Sequence, residues 1–207
     1  FLCYTRYVNG NADRMVQNLQ MYDDAQGHTL MDLFRSPKSE VCELAETVKV
    51  ALASLAYQSD FTESQLRSFQ ALCQYSNVTL WGPPGTGKSY FISTTLAHLF
   101  HAHIKANVPF KVMINSFTHA AIENVLGATM KRIDELNLGH EIRCVKAGRW
   151  RGETKPSSLL ECSNQEIQGQ ILDSNYALIG STVYGCMGSD LRACFDLVVI
   201  DEASQVK

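Results

Sequence analysis

The sequence predicts an α/β fold, in which a parallel sheet has helices on both of its faces and a helical appendage precedes it. Short apolar segments alternate with longer segments of helical periodicity, and this alternation is typical of parallel sheets. A glycine-rich loop stands directly between one such apolar segment and one such helix. Apolar residues make up 45% of the 207 residues, which is enough for the core that this kind of sheet requires.

Helices are predicted where apolar residues recur every three or four positions, and strands where short apolar runs occur. Val48, Leu52 and Leu55 follow the helical spacing, and a capping box opens the helix predicted over 163–172. In chain order, the predicted elements are helices over 39–57 and 62–75, a strand over 78–81, a helix over 88–105, a strand over 111–115, a helix over 118–137, a strand over 141–145, a loop over 147–158, a helix over 163–172, and strands over 177–181 and 197–200.

The chain is predicted to contain two parts. Residues 61–207 carry the alternating strands and helices, and residues 1–60 form the N-terminal helical appendage, to which the sequence assigns no function. The first residue is Phe1 rather than Met, and no signal peptide is visible. The sequence is therefore expected to be a piece of a longer chain.

Charge and cysteine content exclude several classes of protein. The net charge of −3 excludes a domain that coats nucleic acid through its overall charge. Seven widely spaced cysteines, without a C-x-x-C pair, favour free thiols in a reducing intracellular compartment, which is the nucleus in a eukaryote or the cytoplasm in a bacterium. No run of 18 apolar residues occurs, so no membrane partner is expected.

The most specific motif lies between the strand over 78–81 and the helix over 88–105, and it consists of Gly82, Pro83, Pro84, Gly85, Thr86, Gly87, Lys88 and Ser89. The spacing of its glycines, lysine and serine matches that of a phosphate-binding loop, whose backbone N–H groups surround phosphate oxygens. We expect Lys88 to reach the β- and γ-phosphates of a nucleotide and the Ser89 hydroxyl to bind Mg²⁺.

Two acidic residues directly follow the apolar strand over 197–200. A carboxylate at the end of a buried strand beside a phosphate loop can hold Mg²⁺, which suits Asp201. Glu202 would orient and deprotonate the attacking water, which makes Glu202 and Lys88 the predicted catalytic residues. The alternative is an acidic helix N-terminus without a catalytic role.

Gln65 lies 17 positions before the loop and allows two interpretations. Its amide can both donate to and accept from adenine, and this would select ATP. Thr62 and Gln65 also have the spacing of a capping box, so that the same side chain would stabilise the start of a helix. The two roles are compatible.

The spacing of the motifs and three further segments indicate a family. Asp201 lies 113 positions after Lys88, whereas AAA+ ATPases place the corresponding acidic residue roughly half as far along the chain. Five segments resemble, in chain order, the Q-motif and motifs I, Ia, Ic and II of superfamily 1B helicases. They are the segment with Gln65, the loop at 82–89, and residues 115–126, 180–185 and 201–205. The sequences of motifs Ia and II are most similar to those of the DNA-replication helicase/nuclease branch and its RecB-like relatives. The nonsense-mediated-decay RNA helicases are more distant.

This resemblance covers residues 61–207 and implies the first RecA-like motor domain of a P-loop helicase. Such a domain hydrolyses ATP with Mg²⁺ while it moves on single-stranded DNA, together with a second RecA-like domain of the same parent chain. By resemblance, Gln205 links the ATP site to its neighbours, and the single-strand track is lined by Ser116, Thr118, His119 and Thr182. Ordinary helix capping is the alternative role for such hydroxyl groups.

Three other functions stay open: an RNA helicase, an AAA+-type ATPase, and a nucleotide-gated nucleic-acid clamp without a motor. The sequence stops at Lys207, directly after motif II. Arginine fingers, which related phosphoryl-transfer proteins use to accelerate hydrolysis by about 10³–10⁵, are therefore not in this sequence, and weak hydrolysis is expected.

Two weaker patterns complete the sequence analysis. A basic strip that includes Trp150 favours a solvated loop over a nucleic-acid contact; its charged members are Arg143, Lys146, Arg149, Arg151 and Lys155. A histidine group favours packed or surface side chains over a metal site, because neither a carboxylate nor a cysteine completes a ligand set; its members are His98, His101 and His103.

Overall fold

The structure is a computed structural model that describes residues 44–58, 60–75, 78–83, 85–186 and 195–201. Several predictions fall outside these ranges. They concern most of the N-terminal appendage and the site residues Pro84, Glu202 and Gln205.

A five-stranded parallel sheet forms the centre of the fold, with the strand order β3-β2-β4-β1-β5. Its strands are β1 (Phe110–Ser116), β2 (Arg143–Ala147), β3 (Leu160–Cys162), β4 (Tyr176–Thr182) and β5 (Leu197–Ile200). The predicted α/β class with a parallel sheet is confirmed.

The described helices agree with most of the predicted ones. They are α1 (Glu46–Gln58), α2 (Glu63–Gln74), α3 (Lys88–Ala106), α4 (His119–Glu135), α5 (Ile167–Ile171) and α6 (Val183–Cys186). None of these helices is long and apolar enough to cross a membrane.

Alternate residues of the central strands belong to two apolar clusters. Val112 and Ile114 of β1 are buried in the larger cluster, which also contains side chains of α1, α2, α3 and α4. Met113 of β1 is buried in the smaller cluster with Ile167 and Ile171 of α5. Since successive side chains of a strand point to opposite faces, helices cover both faces of the sheet, as predicted.

Helix α1 falls within the predicted appendage, yet it shares the main core. Val48 and Leu52 are buried and belong to the larger cluster, together with Leu96 and Phe100 of α3. The apolar stripe that predicts this helix is therefore the surface that packs against α3.

The predicted strand over 78–81 is wrong for the structure described here. These residues belong to none of the ladders among the described strands, and Trp81 is 89% exposed. A strand is held by hydrogen bonds to a neighbouring strand, and a short, largely apolar segment followed by Gly82 and Pro83 does not supply that partner by itself.

Two other differences concern the segment after β2. The helix predicted over 163–172 begins only at Ile167, because Ser163 and Glu166 form a separate turn in which the Glu166 carboxylate accepts a hydrogen bond from the Ser163 N–H at 2.7 Å. The three-residue strand β3 was not predicted, since Leu160 and Cys162 are too few apolar residues for a recognisable pattern.

Candidate functional site

The predicted site residues gather at the edge of the sheet where the parallel strands end. Ser116, the last residue of β1, pairs in register with Thr182, the last residue of β4. Asp201 follows β5, and its N–H donates to the carbonyl oxygen of Asn115 at 2.9 Å. Ligands of open α/β sheets bind at this carboxyl edge.

The phosphate loop leads directly into the 19-residue helix α3. Gly87 is the N-cap residue with φ 77°, and Gly85 has φ 82°. Both values lie in the left-handed region, where side chains with a Cβ are strained. The Thr86 hydroxyl donates to the Pro83 carbonyl at 2.8 Å and closes the loop. The first N–H groups of a long helix, which lack intrahelical partners, thus follow the loop and favour an anion.

Lys88 folds back over the loop. Its Nζ donates to the carbonyl oxygens of Gly82 at 2.6 Å and Pro83 at 2.9 Å. These carbonyl partners are uncharged, whereas phosphate oxygens carry a negative charge that attracts the ammonium group more strongly. A polyphosphate at the loop would therefore draw the ammonium group away from the carbonyls, and the loop fits such a ligand.

Gln65 forms the predicted capping box. Its Oε1 accepts from the Thr62 N–H at 3.0 Å, and its own N–H donates to the Thr62 hydroxyl at 3.3 Å. The Nε2 of Gln65 lies only 3.3 Å from the position that a Cβ at Gly87 would take. The side chain thus caps α2 and also lies beside the phosphate loop, while its contact with adenine stays a prediction.

The chemistry of the predicted Mg²⁺ ligands fits this cation. Ser89 lies exposed in the first turn of α3, and Asp201 lies at the end of β5. Hydroxyl and carboxylate oxygens, completed by water and phosphate oxygens, are the ligands that Mg²⁺ prefers. Within the described ranges, no group of three or more His, Cys, Asp or Glu side chains forms a metal site made of protein ligands alone.

The residues assigned to the single-strand track occupy one short stretch of the carboxyl edge. Ser116 is fully buried, and its hydroxyl has no hydrogen-bond partner in the described part of the chain. The Thr118 hydroxyl accepts from the Ala121 N–H at 3.2 Å, and the Thr182 hydroxyl accepts from the Gly185 N–H at 3.0 Å. Both threonines therefore cap helices, as the alternative interpretation predicts, and each hydroxyl keeps its hydrogen for another acceptor.

His119, the first residue of α4, lies in a positive environment. Its Nδ1 is 3.4 Å from the Nζ of Lys146. Partial burial lowers the pKa of His119, the positive charges of Lys146 and Arg151 lower this pKa further, and the carboxylate of Glu123 opposes them. These effects together favour the neutral form of the imidazole over the protonated one.

Lys146 corrects the interpretation of the basic strip as a solvated loop. Its side chain is fully buried, and its Nζ lies 3.2 Å from the Oε1 of Glu123, whose side chain is 6% exposed. Sequence reasoning missed Glu123, although a signal was present: it stands among Ile122, Val125 and Leu126 on the buried part of α4.

The histidines on α3 are packed, as the sequence analysis favours. His98 contacts Phe61 and Phe69 edge-on, with ring centroids 6.1 and 6.4 Å away. His103 stacks on Phe110 at 4.0 Å. Burial lowers the pKa of both histidines.

A parallel sheet with a phosphate loop ahead of a long helix defines a P-loop NTPase. A family model described as "AAA domain" matches residues 60–177, which is more than half of the chain. The chain therefore belongs to this family, whose domain is found in superfamily 1 helicases. Neither the search of curated proteins nor the search of solved structures returned a match.

Proposed function

We propose that the chain is the first motor domain of a superfamily 1 helicase that couples ATP hydrolysis to movement along single-stranded DNA. The observation that carries this proposal is the position of the Lys88 ammonium over the loop that precedes α3. The carboxyl edge of the sheet carries Ser116 and Thr182, which the resemblance assigns to the single-strand track. A second RecA-like domain of the same parent chain would complete the motor.

The residues of the loop would act mainly by binding and orienting the nucleotide. Lys88 would exchange its two carbonyl partners for oxygens of the β- and γ-phosphates, and Gln65 would select adenine. Ser89 and Asp201 would hold Mg²⁺, which when bound neutralises charge on these phosphates. Gln205 would connect this site to the neighbouring elements.

Glu202 would serve as the general base of the hydrolysis. It would accept a proton from water as the water oxygen bonds to the γ-phosphorus and the bond to the β–γ bridging oxygen breaks. The products are ADP and inorganic phosphate. Without Glu202 the water is neither oriented nor deprotonated, whereas nucleotide binding is unaffected.

Thr118, His119 and Thr182 would contact the strand through its phosphates, whereas Ser116, which the resemblance also assigns to this track, is fully buried. Hydroxyl groups and the first N–H groups of a helix bind phosphate oxygens without reading the base sequence, as a translocating protein requires. Cycles of closing and opening against the second domain would then move the strand.

The test is the steady-state ATPase rate of the full-length protein without polymer, with oligothymidylate, and with oligouridylate. We expect stimulation by the DNA, and a fall of at least about 100-fold in Lys88→Ala, as for the loss of one charge-stabilising donor. Glu202→Gln should lose turnover to a similar degree while it keeps its affinity for ATP. Lys105→Ala, which removes an exposed lysine at the other end of α3, is the matched control.

Each other outcome selects an alternative. Stronger stimulation by oligouridylate would assign the chain to an RNA helicase. ATP turnover that neither polymer changes would overturn the motor. A Glu202→Gln protein that retains the full biological function would favour the nucleotide-gated clamp.

A further inference from the structure

Residues 148–152, here called the arginine loop, follow β2 and are held by hydrogen bonds from other segments. The Gly148 N–H donates to the Cys162 carbonyl at 2.8 Å. The next two bonds go to carboxylates: the Trp150 N–H donates to Glu161 at 2.7 Å, and the Arg151 N–H donates to Glu123 at 2.9 Å. Three peptide N–H groups of this short loop are therefore held in place, two by residues of β3 and one by a residue of α4.

The buried ion pair lies directly beneath the arginine loop. Glu123 Oε1 accepts from the Arg151 N–H and forms an ion pair with the Lys146 ammonium, while the same ammonium donates to the Arg149 carbonyl at 2.5 Å. Burying two charges is costly unless they are paired and their remaining hydrogen-bond capacity is used. Here the arginine loop supplies part of that capacity, so the pair and the loop conformation depend on each other.

Both charged side chains of the loop are exposed, whereas its tryptophan is half-buried. The Trp150 ring packs on α4, since a Cβ at Gly127 would lie 3.4 Å from it. Arg149 and Arg151 are exposed, and neither has an ion pair within the described part of the chain.

The other basic residues of the strip already have partners. Lys155 lies 3.5 Å from the carboxylate of Glu161. Arg143 donates to the Gln170 side chain at the amino end of β2, which is the opposite edge of the sheet. The strip is thus reduced to two arginines at the carboxyl edge.

The arginine loop touches the start of α4. A Cβ at Gly148 would lie 3.5 Å from the Cε1 of His119, so the loop backbone lies against the imidazole. The positive charge of Arg151 also contributes to the lowered pKa of His119. Two unpaired guanidinium groups therefore stand next to the residues assigned to the single-strand track.

We infer that the arginine loop forms a second wall of this track, in which Arg149 and Arg151 contact phosphates of single-stranded nucleic acid and the Glu123–Lys146 pair acts as the positioning device. This inference rests on the proposed function, since it extends the same track. Guanidinium groups suit phosphates because their planar array of donors matches two oxygens at once. The buried pair binds no phosphate itself, because its charges are already neutralised.

The first experiment measures the affinity for a fluorescein-labelled 20-nucleotide oligothymidylate by anisotropy at several salt concentrations. Each phosphate that a protein neutralises on a single strand contributes about 0.7 to the slope of log K against log salt. We expect Arg149→Ala/Arg151→Ala to lower this slope by about 1.4 and the affinity at 0.1 M salt by about 20-fold. Lys105→Ala/Lys131→Ala, which removes two exposed charges near the ends of α3 and α4, is the matched control and should keep the slope.

The second experiment tests the positioning role. Glu123→Gln/Lys146→Met removes both buried charges at similar volume, a change that folded proteins usually tolerate. We expect a melting temperature close to that of the unchanged chain, but a lower affinity and slope. Adding Arg149→Ala and Arg151→Ala to this variant should then cause little further loss, because the arginines are already displaced. Fully additive losses would overturn the positioning role.

The outcomes separate this inference from the proposed function. If the unchanged chain binds the oligonucleotide and the arginine variant keeps the slope of the control, the second wall is wrong and the proposed track stands. If the unchanged chain binds neither oligothymidylate nor oligouridylate, the nucleic-acid part of the proposed function fails, and the second wall fails with it.

Discussion

Two lysines on the carboxyl side of the fold differ in their partners. Lys88 is half-buried and, among the residues that the structure describes, donates to the carbonyl oxygens of Gly82 and Pro83, which belong to its own loop. Lys146 is fully buried and forms an ion pair with Glu123 of another element. The first ammonium group keeps its net charge available for a ligand, whereas the second is neutralised within the protein.

This difference separates a binding role from a positioning role. Two uncharged carbonyls are easily exchanged for the oxygens of a polyphosphate, since the ammonium group then contacts an opposite charge. A buried carboxylate cannot be exchanged in this way without leaving an uncompensated charge. Residue type alone therefore does not identify the functional lysine; its partners do.

The largest expected effect comes from making the same substitution at both lysines. Lys146→Met leaves Glu123 buried without its cation and should lower the free energy of unfolding by about 3–5 kcal/mol. Lys88→Met should change it by no more than about 0.5 kcal/mol, because no charge is left buried. Urea denaturation followed by circular dichroism measures both values.

The double variant Glu123→Gln/Lys146→Met is the control, because it removes the pair without leaving either charge alone. Its stability should return close to that of the unchanged chain. Equal losses of stability for Lys88→Met and Lys146→Met would show that the two lysines do not differ as their partners indicate.

A smaller effect separates the two roles of Gln65, the other polar side chain beside the phosphate loop. Gln65→Glu keeps an oxygen for the Thr62 N–H but loses the amide donor, so we expect the affinity for ATP to fall by about 10-fold, the value of one hydrogen bond. Thr62→Ala should instead cost about 1 kcal/mol of stability, through the lost cap, with ATP affinity unchanged.

Thermal melting and titration with fluorescent ATP and GTP analogues measure these two effects. The preference for ATP over GTP should disappear in Gln65→Glu and persist in Thr62→Ala. A glutamate variant that keeps this preference would leave Gln65 with the capping role alone.

The comparison also explains what the sequence could predict. The phosphate loop was predicted because its residues are contiguous, and its contacts span no more than six positions. The apolar runs of β1 and β4 were recognised for the same reason, since burial on both faces leaves a local pattern. The run of β5 is equally apolar, although Val198 and Ile200 are exposed in the structure.

The positioning pair depends on contacts that no local pattern contains. Glu123 accepts from Arg151, 28 positions later, and Lys146 reaches His119 across 27 positions. In the sequence, Lys146 resembles any other member of a basic strip, and only the packing of β2 against α4 shows that it is buried. The strand predicted over 78–81 failed for a related reason, because strand formation depends on a neighbour that local hydrophobicity does not provide.

The smallest effect is a change in the pKa of His119, which reports on the charges around the second lysine. This pKa is lowered first by burial and then by the positive charges of Lys146 and Arg151. Removing the guanidinium in Arg151→Ala takes away a charge that disfavours the protonated imidazole, so the pKa should rise towards the ordinary value of a histidine, about 6.5. At a pH just below that value, a larger fraction of His119 is then protonated in the variant.

Titration of the histidine Cε1–H signals by NMR measures the change, with His119→Gln to assign the signal. Lys88→Met should leave the same signal unmoved, because the charge of Lys88 lies at the phosphate loop. An equal shift of the His119 pKa in Arg151→Ala and Lys88→Met would mean that the phosphate loop and the surroundings of Lys146 share one electrostatic environment.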